Sequence, residues 1–135
     1  KIKVSVGNQL TVIEYFPSIS KRLIEVTLES LCENKSHFYQ SHKINKRWEN
    51  QYLDLEYIPE IKEIFQFACL AGKNITGDSL LVPFIELGLP VNEFWFNISK
   101  PDESTGLHNH NEKAILSGVF YLKVRKKSGD INFKI

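Results

Sequence analysis

The segment Leu107-His108-Asn109-His110-Asn111-Glu112 sets two imidazoles and a carboxylate at alternate positions. On an extended strand, residues two apart share a face, so His108, His110 and Glu112 project together. Two imidazole nitrogens and one carboxylate suit a divalent transition metal. The polar, turn-prone stretch Lys100 to Gly106 precedes the segment and an apolar strand follows it. The three side chains are therefore expected at a strand end, where a cavity mouth forms. The plainer reading is a solvated polar loop, because H-x-H is short enough to recur by chance.

Other reactive residues carry less. His37 and His42 lie in a polar stretch with no acidic partner nearby and are expected to face solvent. Cys32 and Cys69 form no C-x-x-C pair and no disulfide framework. Set among apolar residues, each is expected to pack as a small hydrophobe. No G-x-S-x-G, P-loop or G-x-G-x-x-G motif is present. Trp48 and Trp95 are expected to be core or loop anchors. Asn34, Asn74 and Asn97 open N-x-S/T triplets, which matter only in a secreted chain, and nothing else in the sequence suggests secretion.

Several elements must position these residues. Lys3 to Phe16 alternates weakly and reads as one or two strands around Gly7-Asn8. Leu23, Ile24, Thr27, Leu28 and Leu31 recur at helical spacing, with Ser20 as a potential N-cap, which predicts a helix over about 18–33. Glu33 to Asn50 is polar but carries Phe38, Tyr39 and Trp48, the texture of an ordered loop folded over the domain. After Pro59, the stripe Ile61, Ile64, Phe65, Ala68 and Cys69 predicts a second helix, with Glu60 and Glu63 near its positive end and Gly72 as its stop. From Leu80 onward the texture turns to β. Leu80–Leu87, Val91–Ser99, Leu116–Val124 and Asp130–Ile135 are rich in branched and aromatic residues, and Lys126–Asp130 reads as a hairpin connection. Helices first and strands later predict an α+β layout with helices on one face of an antiparallel sheet.

The chain has 135 residues, 42% hydrophobic and 24% charged, which suits one domain over 1–135. Seventeen basic and 16 acidic residues leave a net charge of +1 and no basic footprint for nucleic acid. No apolar run approaches the ~18 residues of a membrane span, and the first residues lack the apolar core of a signal peptide. A soluble, cytoplasmic protein with neither nucleic acid nor membrane as partner is expected. No methionine occurs, so translation is expected to start before Lys1.

Four motifs follow one another in the second half. They are Phe94-Trp95-Phe96-Asn97-Ile98-Ser99-Lys100-Pro101, Leu107-His108-Asn109-His110, Leu116-Ser117-Gly118-Val119-Phe120-Tyr121-Leu122 and Ser128-Gly129-Asp130-Ile131-Asn132-Phe133. This order resembles a family of 2-oxoglutarate and iron(II)-dependent oxygenases, with its W-x-N-x-x-x-P strand, H-x-H element, S-G-V-Y-Y-L strand and S-G-x-L-x-F hairpin. The likeness covers residues 91–135 closely, and Arg47-Trp48-Glu49-Asn50 with the helix after Pro59 fits the usual lead-in more loosely.

The resemblance implies a double-stranded β-helix, the cupin-like jelly roll, with residues 1–79 as a strand and helical lead-in and 80–135 as the first half of the barrel. It implies iron(II) at one open end, chelated by 2-oxoglutarate, and hydroxylation of a C–H bond coupled to decarboxylation of 2-oxoglutarate to succinate. His108 matches the first ligand of the related prolyl-hydroxylase-like H-x-D motif, which puts His110 where the carboxylate normally stands. A shifted reading, His110-Asn111-Glu112 as H-x-E, restores the carboxylate. His110 is common to both. Tyr121 matches a tyrosine that hydrogen-bonds the distal carboxylate of 2-oxoglutarate, and Asn97 would reach the cosubstrate if it faces inward.

The same resemblance places a distal histidine and a 2-oxoglutarate-anchoring basic residue on later strands, yet no histidine follows His110 and Arg125 falls too early. Roughly 40 further residues would complete such a barrel, so a truncated chain or an incomplete barrel is expected, its open sheet edge available to a second copy. The rival expectations are a non-catalytic jelly-roll interaction domain, with or without a structural metal, and a cupin-like metalloenzyme that does not use 2-oxoglutarate.

Overall fold

The computed structural model describes residues 2–6, 10–14, 19–40, 43–44, 47–48, 50–98 and 116–124. Two β-strands open the chain. β1 (Ile2–Val6) pairs antiparallel with β2 (Leu10–Glu14), from Ile2↔Glu14 to Val6↔Leu10, as the alternation around Gly7-Asn8 predicts.

Helix α1 (Lys21–Glu33) starts at the expected cap, with the Leu23 amide donating to Ser20 Oγ at 3.1 Å. Its inward stripe sets Leu23 and Leu31 against the core and buries Thr27, whose hydroxyl donates to the Leu23 carbonyl at 2.7 Å. Ser20→Ala leaves a helix-end amide without its acceptor. It is expected to cost about 1 kcal/mol, seen as a lower denaturant midpoint. At the other end Asn34 Nδ2 donates to the carbonyls of Ser30 (2.8 Å) and Tyr57 (3.1 Å), and Ser30 Oγ donates to Glu60 Oε1 at 2.7 Å. These bonds tie the helix terminus to the segment that leads into the second helix.

The polar stretch after α1 is ordered by nested antiparallel pairs. β3 (Tyr39–Gln40) pairs with β6 (Gln51–Tyr52), and between them β4 (Lys43–Ile44) pairs with β5 (Arg47–Trp48). Gln51 is paired on both sides, because it also exchanges two backbone bonds with Phe96, at 2.8 and 3.0 Å. Beyond it the extended chain alternates. Leu53 and Leu55 enter the core, while Tyr52 and Asp54 remain half-buried on the other side.

Leu53, Leu55, Ile58, Ile61, Ile64, Phe94 and Phe96 form that core. Phe94 meets Phe65 at 5.0 Å and Phe96 edge-on at 6.4 Å, the tilted geometry aromatic pairs prefer. Two short 3-10 turns, Leu55–Tyr57 and Pro59–Ile61, lead into helix α2 (Lys62–Thr76). The helix does not stop at Gly72. It runs on to Gly77, whose φ of 80° is the left-handed C-cap conformation glycine adopts freely. Gly72 instead is buried, with the Leu80 and Leu116 methyl groups lying 2.8 and 3.3 Å from where a Cβ would stand.

The double-stranded β-helix is absent from the described residues, which are helical and irregular with two-stranded antiparallel pairs, not mainly β. The helices accordingly pack on a core of turns and extended segments, not on one face of a sheet. In the segments expected as barrel strands, Phe96 alone makes a β-bridge among the described residues. The reason lies in where the backbone donors go. Pro83 and Pro90 have none, the Ile85 amide donates to Asn92 Oδ1 at 2.8 Å, and the Glu93 amide donates to the Pro83 carbonyl at 2.8 Å. Ile85–Leu87 coils into a 3-10 turn ended by Gly88 at φ 87°. Segment 80–93 therefore folds on itself, and several of its branched side chains, Leu81, Leu87 and Val91 among them, remain exposed. Residues 116–124 form no strand and bend at Leu122, with Phe120 and Leu122 against the core. The segment expected at 130–135 lies outside the described residues. Among the described residues no helix is long and apolar enough to cross a membrane.

Candidate functional site

The expected metal ligands His108, His110 and Glu112 lie outside the described residues, as do His42 and Arg125. Asn97 and Tyr121 lie within them. Asn97 is exposed one residue beyond the Phe96 bridge, and Tyr121 is 58% exposed. Tyr121 alternates with Phe120 and Leu122, which face the core, so its ring turns outward.

The most organised polar site among the described residues stands elsewhere, where β3, β6 and segment 85–93 meet. Tyr39 and Tyr52 are cross-strand partners and stack at 5.3 Å with 14° between their planes. Trp95 meets Tyr52 edge-on at 6.1 Å, and Asn50 Nδ2 donates to the Tyr52 hydroxyl at 3.2 Å. The Tyr39 hydroxyl donates to Asp54 Oδ1 at 3.1 Å and accepts from Asn92 Nδ2 at 3.1 Å. Asn92 Nδ2 also donates to Asp54 Oδ1 at 2.9 Å, while its own Oδ1 takes the Ile85 amide. The neighbouring carboxylate of Glu86 accepts the Leu55 amide at 3.0 Å and latches the 85–87 turn beside the site. Beside these groups lies an open groove of about 460 Å³, walled by Tyr39, Tyr52, Ile85, Pro90, Val91, Asn92 and Glu93.

No family model, curated protein or solved structure matches the chain. Its site chemistry thus rests on its own residues.

Asn92 is the hinge of the cluster. Only 5% exposed, it spends both amide hydrogens and its carbonyl on three different segments. Asn92→Ala leaves three part-buried partners short of a hydrogen bond and is expected to cost about 1–3 kcal/mol in chemical denaturation. Tyr39 titrates above the ordinary tyrosine range. Burial opposes its charged form most, and Asp54 adds to that, while the hydrogen bond from Asn92 works the other way. A phenol whose folded pKa is raised contributes stability that is present below pH ~10 and lost as pH rises through the folded value. Tyr57 is also raised, chiefly by the Glu56 carboxylate, so ultraviolet titration is expected to show a late-ionising tyrosine component that shrinks but does not vanish in Tyr39→Phe.

A second groove, of about 270 Å³, is apolar and lined among others by Phe65, Cys69, Leu80, Val82, Phe84 and Leu87. Cys69 is half-buried there, as its neighbours predict, but Cys32 is exposed because it falls off the inward stripe of α1. His37 is exposed as expected, yet it stacks on Tyr57 at 4.1 Å. Among the described residues no group of three or more His, Cys, Asp or Glu side chains is placed to hold a metal ion. Sequence reasoning missed Tyr52, Asp54 and Asn92. The available signal was the alternation of Gln51-Tyr52-Leu53-Asp54-Leu55, which marks an extended segment with one polar face.

Proposed function

We propose that this chain is part of an iron(II)- and 2-oxoglutarate-dependent oxygenase of the cytoplasm, with the metal held from the segment His108, His110 and Glu112. The observation that carries the reading is the ordered run of four motifs from Phe94 to Phe133. The chemistry of the donor set fits the group, since two imidazoles and a carboxylate are a known ligand set for non-haem iron(II). His110 serves as a ligand in both readings of the motif, paired with His108 in one and with Glu112 in the other. Tyr121 and Asn97 would hold 2-oxoglutarate, the phenol by donating to its distal carboxylate. When bound, and with O₂ as the oxidant, the metal and cosubstrate would supply decarboxylation of 2-oxoglutarate to succinate and CO₂ coupled to hydroxylation of a substrate C–H bond, one oxygen atom going to each product.

A second reading, a non-catalytic interaction domain, draws on the exposed apolar side chains of Leu116, Val119 and Val124, the second of them 70% exposed. Anaerobic titration with iron(II) and 2-oxoglutarate separates the two. A saturable visible charge-transfer band supports the oxygenase. Absence of both the band and metal binding overturns it in favour of the interaction domain.

A further inference from the structure

We infer that the groove beside Tyr39 and Tyr52 is a binding site for a guanidinium group carried on an apolar stem, as in an arginine side chain. The inference stands independently of the oxygenase reading.

Charge sets the sign of the ligand. Glu93 lines the groove, the Asp54 carboxylate lies one hydrogen bond behind Tyr39 and Asn92, and among the described residues no basic side chain lines it. Among those residues neither carboxylate has an ion-pair partner, the one ion pair being Arg22–Glu25 on α1. Among the described residues an anion would meet two negative groups and no positive one. A cation is favoured by both.

The walls narrow the choice further. Tyr52 stacks on Tyr39, yet Tyr39 remains 42% exposed and walls the groove, so an aromatic face is presented there. A planar, weakly hydrated guanidinium stacks on such a face and is drawn to its π cloud, which a compact, strongly hydrated ammonium does less well. Ile85, Pro90 and Val91 offer the methylene stem an apolar wall. The site is also rigid before any ligand arrives. Both hydrogen bonds to Asp54 fall on Oδ1, and Asn92 is fixed by bonds to Asp54, Tyr39 and Ile85, so little ordering remains to be done on binding.

The test uses the whole chain and two arginine probes, Nα-acetylarginine methylamide and a glycine-flanked arginine heptapeptide. Each is compared with its citrulline counterpart, which keeps the shape and loses the charge. Calorimetry at low ionic strength is expected to show saturable binding of arginine and at least tenfold weaker binding of citrulline. Saturation by both arginine probes supports a free guanidinium compound as ligand, whereas saturation by the peptide alone supports a protein side chain. Tyr39→Leu is expected to weaken arginine binding about two- to fivefold, the worth of an exposed cation–π contact. Glu93→Gln, at an exposed position that leaves the fold intact, is expected to weaken it and flatten its salt dependence. Equal binding of citrulline, no saturation by either arginine probe, or arginine affinity unchanged in both variants overturns the assignment.

Discussion

His110→Ala is expected to abolish stoichiometric iron(II) binding. The side chain is a ligand whether the motif is read as His108 with His110 or as His110 with Glu112, so no alternative pairing within the segment survives its loss. Mutating mere supporting groups around a metal already costs ten- to a hundredfold in affinity, and removal of a ligand exceeds that. The single variants His108→Ala and Glu112→Ala then separate the readings. Under the first, Glu112→Ala retains iron and His108→Ala loses it; under the second, the pattern reverses. Metal content after anaerobic loading and desalting, with circular dichroism to show a retained fold, measures all three. Full iron occupancy in His110→Ala would remove the segment from consideration under either reading. Tyr121→Phe provides the complementary result, weaker 2-oxoglutarate binding with iron retained.

The largest effect on stability is expected from Leu53→Ala. Leu53 is completely buried among Leu55, Ile58, Phe94 and Phe96. Truncating such a side chain forfeits its transfer free energy and leaves a cavity, together about 2–5 kcal/mol. Total stability of an ordinary domain is about 5–15 kcal/mol, so the upper end of that loss is enough to unfold a marginal chain. Leu53 also sits between Tyr52 and Asp54 in the alternating segment that follows β6, so its anchoring fixes both polar neighbours. A milder variant, Ile58→Val at another fully buried position, is expected to cost only about 0.5–1.5 kcal/mol. Urea unfolding of the two variants is expected to rank them in that order, with the Tyr39–Tyr52 stack perturbed only in Leu53→Ala.

Both helices could be read from the sequence because their apolar residues repeat at 3.6 positions and their starts carry local chemistry. Ser20 caps α1 as its type predicts, and Pro59 opens the approach to α2. The first strand pair was equally legible, from alternation around Gly7-Asn8. What misled was segment 80–98, where branched and aromatic residues imitate strands. Composition alone does not make a sheet, which needs its amides free to pair, and here Asn92 and the Pro83 carbonyl take two of them. The stop of α2 was misplaced for a related reason. Gly72 reads as a terminator, yet it marks close side-chain approach, which only the position of Leu80 and Leu116 discloses. The tyrosine groove could not be read because its parts are distant in sequence. Tyr39, Asp54 and Asn92 meet only after β3 has paired with β6 and segment 85–93 has folded back. The metal-motif candidates were the clearest chemical signal in the chain, and they stand on sequence alone.

The bare patch on α2 at Gly72 acts as a mooring point. Leu80 and Leu116 both rest on it, so one side-chain-free spot on a helix receives two segments that are far apart in sequence. The helix thus holds both much as a single pin holds two straps, and any side chain larger than hydrogen at that spot would push against both at once.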